Sequence, residues 1–153
     1  MTPKKDETLK LCAGSAELDP DKPFVLAGYG DGQLHENDPI TRVQFAVLLY
    51  RSLTDDSKAA LESSTSVFTD IAKDSWYHDA VSAFASVGVL NGCNGFFRPN
   101  DNLTYGQLIA ILTRFVDAKT ASMPDVSYTK HWAYKNIMTA AAYGWIQDAA
   151  SVQ

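Results

Sequence analysis

The sequence predicts an all-α fold of short helical repeats packed around a shared helical core with glycine-rich loops, and three observations predict it. The segment Pro39 to Arg51 recurs, altered, at Asn102 to Arg114, each copy opening with Thr-x-x-Gln, Thr41 to Gln44 and Thr104 to Gln107. A glycine loop precedes each copy, Gly28-Tyr29-Gly30-Asp31-Gly32 in one and Gly92-Cys93-Asn94-Gly95 in the other. Trp76 and Gly88 are repeated by Trp132 and Gly144, each pair 56 positions apart. Units of this size cannot bury their apolar faces alone, so one shared core is expected rather than separate domains.

Composition narrows the function classes. The 153 residues are 46% hydrophobic, enough for a real core, and the formal charge of -5 provides no field for steering toward nucleic acid. No apolar run has the length of a membrane span, so membrane insertion is not expected. The opening Met1-Thr2-Pro3-Lys4-Lys5-Asp6 lacks the apolar core of a signal peptide, so an exported form would have lost its signal or lie outside this chain. Cys12 and Cys93 exclude a CxxC zinc cluster and leave either a single disulfide or two lone thiols. His35, His78 and His131 share no ligand spacing, so neither a metal nor a cofactor is expected.

Along the chain, Met1 to Pro23 is polar and irregular, with a poorly periodic helical candidate from Glu7 to Leu18 and a proline-bounded turn at Asp19 to Pro23. After the first glycine loop comes the first capped helix. In the capping-box spacing, the Thr hydroxyl and the Gln amide each satisfy a first-turn backbone amide. Phe45, Leu48 and Leu49 match Leu108, Ile111 and Leu112 as the expected buried stripe. Ser52 to Thr65 reads as a connector with a helical turn over Ser57 to Glu62. Asp74 or Ser75 is placed to cap a helix running from Trp76 to Val87, which Gly88 ends. The second loop and second capped helix follow, and a third unit opens at Met123, carrying Asp125, Trp132, Ile137, Ala140 and Ala141.

The first turn of a capped helix presents amides and the positive end of a dipole, a place for a carboxylate or phosphate. Arg42 adds a planar, permanently charged fork beside it, and Gln44 keeps the cap without the negative charge of a glutamate. Trp76 and Trp132 read equally as core anchors and as platforms for apolar sugar faces. Asp70 and Asp125 read equally as turn residues and as ligand contacts. The loop Asp31 to Asp38 fails as a calcium site, because the positions that should carry carboxylates are Ala27 and Tyr29. No nucleophile with a base and no paired carboxylates stand out, so an enzyme is not expected.

Phe68-Thr69-Asp70, Trp76, Gly88, Asn94-Gly95-x-Phe97-x-Pro99 and Leu103-Thr104 together resemble an S-layer homology repeat. Gly28 to Gly32 with Ile40-Thr41-Arg42 resembles the second half of another, and Asp125 with Trp132 the first half of a third. The resemblance implies an extension or linker over 1–23, a half-repeat over 24–53, a complete repeat over 66–117 and a further half over 122–153. It also implies a helical module that fastens exported bacterial proteins noncovalently to an anionic cell-wall polysaccharide, often one bearing ketal-linked pyruvate. Its location would be the extracellular cell surface or S-layer, and other copies of itself or other surface proteins are further partners. By that resemblance the glycan-binding residues are Arg42, Gln44, Asp70, Trp76, Tyr105, Asp125 and Trp132. Of the family's Thr-Arg-Ala-Glu hallmark, the first copy keeps the Arg as Arg42, whereas Tyr105-Gly106-Gln107 replaces the triplet in the second. The alternative is a degenerate repeat that keeps the fold as a structural or protein-interaction module without binding glycan.

Overall fold

The computed structural model describes residues 12–22, 31–33, 35, 37–62, 65–116 and 132–145. The fold is all-α in class, with five helices and one two-stranded hairpin among these residues: β1 (Cys12–Ala13), β2 (Ala16–Glu17), α1 (Arg42–Arg51), α2 (Asp55–Leu61), α3 (His78–Ser86), α4 (Tyr105–Thr113) and α5 (Tyr134–Ala142).

The repeat is visible in the backbone. Thr41 and Thr104 enter α1 and α4 with near-identical dihedrals, and each makes a complete capping box with its Gln. Thr104→Ala is expected to cost about 1 kcal/mol, measured by urea unfolding, because the Gln107 amide then loses its acceptor. Gly88 and Gly144 both end their helices at positive φ, 75° and 74°. Around each, the next amide reaches back to the helix, Val89 N to Phe84 O and Trp145 N to Ala140 O, both at 2.9 Å. This is the hydrogen-bond pattern of a Schellman stop, and only glycine adopts its left-handed residue without strain.

Several local expectations change. Of the segment from Glu7 to Leu18 expected to be helical, the described residues from Cys12 onward form a hairpin turning at Gly14, whose φ is 56°. Its periodicity is poor for a helix, and its backbone finds partners elsewhere: Cys12 N donates to Phe115 O, Asp19 N to Ser52 O, and Glu17 O accepts from Thr54 N. Ala16 is thereby wholly buried. The connector after α1 holds a full helix, α2, capped by Thr54 with Asp55 and Asp56 in its first turn. Neither Asp74 nor Ser75 caps α3, which begins only at His78 without a side-chain cap. Trp76 therefore stands in the preceding turn, where Ser75 N and the Ser75 hydroxyl both bond Ala72 O.

The buried faces of the capped helices are also rotated from the expected stripe. Val43, Ala46, Val47 and Leu49 are buried on α1, and Gly106, Ile109, Ala110, Ile111 and Thr113 on α4, so of the expected residues only Leu49 and Ile111 are buried. Phe45, partly buried, packs against the rim of the core. The main core gathers Leu53, Val81, Phe84, Val89, Phe97 and Phe115 between α1, α3 and the end of α4. A smaller cluster of Ile109, Ala133, Ile137 and Ala140 seals α4 against α5.

Candidate functional site: an arginine groove beneath the second glycine loop

The second glycine loop is a tight backbone hairpin. Cys93 and Phe96 exchange both amide hydrogen bonds, at 2.9 and 3.0 Å, across Asn94 and Gly95 at φ 52° and 81°. Two successive left-handed residues make the tightest two-residue turn, and Asn-Gly is the dipeptide that tolerates it best. The descending limb then meets the start of α1: Arg42 N donates to Asp101 O and Val43 N to Pro99 O, and Leu103 N donates to Ile40 O. Residues far apart in sequence are thus joined at one corner.

That corner corrects the expectation of a free anion site at the first turn of α1. Its leading amides are already bound, two by loop carbonyls and that of Gln44 by the Thr41 hydroxyl. The cationic potential of the site comes from side chains instead. A groove of about 280 Å³ is lined by Arg42, Arg98, Arg114, Asn91, Gln107 and Trp132, among others.

Each arginine is held differently. Arg42 is half-buried; its Nε donates to Phe97 O at 2.9 Å and Nη2 to Asn91 O at 3.0 Å, while its guanidinium lies 4.6 Å from the centre of the Phe97 ring. Arg114 donates through Nη1 to Val89 O. With the Asn91 amide turned so that its oxygen faces Arg114, Nη2 gains a second acceptor at 3.2 Å. Arg98 is exposed, with a backbone φ of 62°, and pairs with Asp101 at 2.9 Å. Burial pushes the affinities of Arg42 and Arg114 for their protons below the ordinary arginine value, and nearby Asp101 partly restores that of Arg42. A guanidinium stays charged through shifts of this kind. Neither Arg42 nor Arg114 forms an ion pair among the described residues. Two partly desolvated cations held by neutral carbonyls, with donor hydrogens to spare, are complementary to an anion.

Of the seven residues expected to contact a ligand, the groove brings together two, Arg42 and Trp132. Trp132 is 64% exposed and Trp76 66%, so neither is a core anchor; Trp76 stands away from the groove with its ring edge-on to Tyr77. Gln44 accepts the Thr41 amide in the capping box. Tyr105 is half-exposed at the first position of α4, outside the groove wall. Asp70 gives its two carboxylate oxygens to the Phe97 and Arg98 amides. Asp125 lies outside the described residues. Arg98, Arg114 and Asn91 were missed by sequence reasoning. A signal for Arg114 was present, since both capped segments end in arginine, Arg51 and Arg114. Both thiols are free and exposed, which decides between the two readings of Cys12 and Cys93. No helix among the described residues is long and apolar enough to cross a membrane.

Comparison with known proteins agrees with this architecture. The chain is 26% identical, in an alignment of 157 positions that covers 95% of its length, to a cellulosome-anchoring protein of Acetivibrio thermocellus. It is 26% identical over 91 residues, 59% of its length, to a surface layer protein of Brevibacillus choshinensis. It is likewise 26% identical over 129 residues, 78% of its length, to an amylopullulanase of Thermoanaerobacterium thermosulfurigenes. The chain spans only 34%, 8% and 7% of those three relatives, so it corresponds to a part of each. Residues 67–109, which run from the strap before α3 through the glycine loop into α4, match the family model of the S-layer homology domain.

Proposed function

We propose that this chain is a non-catalytic anchoring module that holds a protein to the bacterial cell surface by binding an anionic wall polysaccharide in the arginine groove. The observation that carries this reading is the convergence of Arg42, Arg98 and Arg114 with the exposed Trp132 on one groove. The arginines suit the carboxylate of an acidic sugar, such as one bearing ketal-linked pyruvate, and the indole suits the apolar face of a neighbouring ring. The names of two relatives, a cellulosome-anchoring protein and a surface layer protein, support attachment at the surface. An amylopullulanase of which the chain spans 7% supports a carried module rather than the catalytic part. The domain boundaries at 24–53, 66–117 and 122–153 remain part of this proposal.

The test is retention on purified wall polysaccharide, native and stripped of its acidic substituents, for wild type, Arg42→Lys and Arg114→Ala. Charge-assisted hydrogen bonds are each worth about 1.5–3 kcal/mol, so Arg42→Lys, which keeps the charge but loses the fork, is expected to weaken retention about tenfold or more. Stripping the acidic groups should abolish the difference between the proteins. Equal retention of all three on native polysaccharide, or none of any, would leave the protein-interaction module as the better account.

A further inference from the structure

We infer that Asp70 is a positioning residue of this groove, aiming Arg42 and Arg98 by clamping the loop that carries Arg98 and supports Arg42 through Phe97, rather than by touching a ligand; the inference rests on the groove being the polysaccharide site. The carboxylate lies beneath the loop with both oxygens engaged. Oδ1 accepts from Phe97 N at 2.9 Å and Oδ2 from Arg98 N at 2.7 Å. Thr69 adds its amide to Gly95 O at 2.9 Å, so the strap ahead of α3 holds the loop at its turn and on its descending limb.

What is clamped needs clamping. Arg98 has a left-handed backbone, which costs a residue with such a side chain roughly 1–2 kcal/mol. Arg98 takes up that conformation where its amide meets a full negative charge, and its side chain leaves toward Asp101.

The effect then passes to Arg42 through Phe97. The Phe97 carbonyl receives Arg42 Nε, and the Phe97 ring lies under the guanidinium. Two of the three contacts that orient Arg42 therefore belong to a residue whose amide Asp70 holds. An Asn at position 70 keeps the shape, but only its oxygen accepts, so one of the two amides meets an NH₂ group and loses its partner. Asp70 is close enough to Arg42 to favour its charged form, so its field also stabilises the cation without occupying the groove.

The experiment compares wild type, Asp70→Asn, Arg42→Ala and the double variant by amide hydrogen exchange, by the NMR resonance of Arg42 Nε–H, and by retention on wall polysaccharide bearing ketal-linked pyruvate. Expected for Asp70→Asn are about tenfold faster exchange at Phe97 and Arg98, a moved Arg42 Nε–H resonance, and about fivefold weaker retention. In the Arg42→Ala background the same change should lose no more than the Arg98 share, well under the full factor. Retention falling by the same full factor in both backgrounds, as for a direct ligand contact, would overturn the inference, and so would an unmoved Arg42 resonance. If wild type is not retained, the glycan reading fails on its own, and the exchange and resonance data still decide whether Asp70 aims Arg42. Should Asp70→Asn not fold, Asp70→Glu replaces it: the longer carboxylate must displace the Phe97 and Arg98 amides and move the Arg42 Nε–H resonance with them, and an Arg42 resonance left unmoved while those amides shift would refute the coupling.

Discussion

Replacing Gly92 with alanine is expected to lower stability by about 3 kcal/mol and to abolish retention on wall polysaccharide together with it. Gly92 has an ordinary backbone conformation, so the reason is space. A Cβ placed there would collide with the Phe96 carbonyl oxygen and stand 2.5 Å from Cε1 of Phe68. The carbonyl belongs to the hairpin pairing of Cys93 with Phe96, and the Phe68 ring packs against Phe97 with centroids 5.5 Å apart. Neither neighbour is the loose end of a flexible side chain. Relief must come from the loop itself, and the loop carries Asn91, Phe97 and Arg98. Urea unfolding checks the stability loss. A variant that unfolds like wild type would mean that the loop has more freedom than its packing indicates. Gly95→Ala is a useful companion, because its added Cβ meets nothing within 4 Å and only the φ of 81° opposes it. Its cost should be smaller, about 1–2 kcal/mol.

Phe84→Ala should be the most damaging change in the core, costing about 3–5 kcal/mol in urea or thermal unfolding. Phe84 is fully buried and takes edge-to-face contacts from Tyr50 of α1 and from Phe115 beyond α4, at 6.2 and 6.0 Å. It is where α1, α3 and the end of α4 meet. Its own carbonyl also accepts the Val89 and Leu90 amides that close the Schellman stop. The truncated side chain leaves a cavity that three helices cannot fill without moving. A domain of this size has roughly 5–15 kcal/mol in total, so a large share of the stability depends on one ring. A loss under about 1 kcal/mol would show that the three helices are not coupled through it.

Much of the fold is legible along the chain wherever a signal acts within a few residues. Thr41 with Gln44 and Thr104 with Gln107 announce their own helices, because a capping box is a contact between positions three apart. Gly88 and Gly144 announce their own stops for the same local reason. The spacing of Trp76 and Trp132 correctly marks two related helix starts, each tryptophan standing two residues ahead of its helix. Signals fail where a segment borrows its partners from afar. The stretch from Cys12 to Asp19 departs from the expected helix because Ser52, Thr54, Ser57 and Phe115 supply its hydrogen bonds.

By itself, then, the sequence determined the helical class, the repeat, the Thr caps of α1 and α4 and the glycine stops, and it singled out Arg42 as a candidate. Only the tertiary structure decided what surrounds that arginine. Arg42 meets the carbonyls of Asn91 and Phe97, 49 and 55 positions away, and shares its groove with Arg98, Arg114 and Trp132. It also fills the leading amides of α1 with loop carbonyls and assigns the Asp70 carboxylate to backbone. The physical reason is range. Caps and turns arise from dihedral preferences and hydrogen bonds between near neighbours, whereas the composition of a groove depends on which distant segments the buried core draws together.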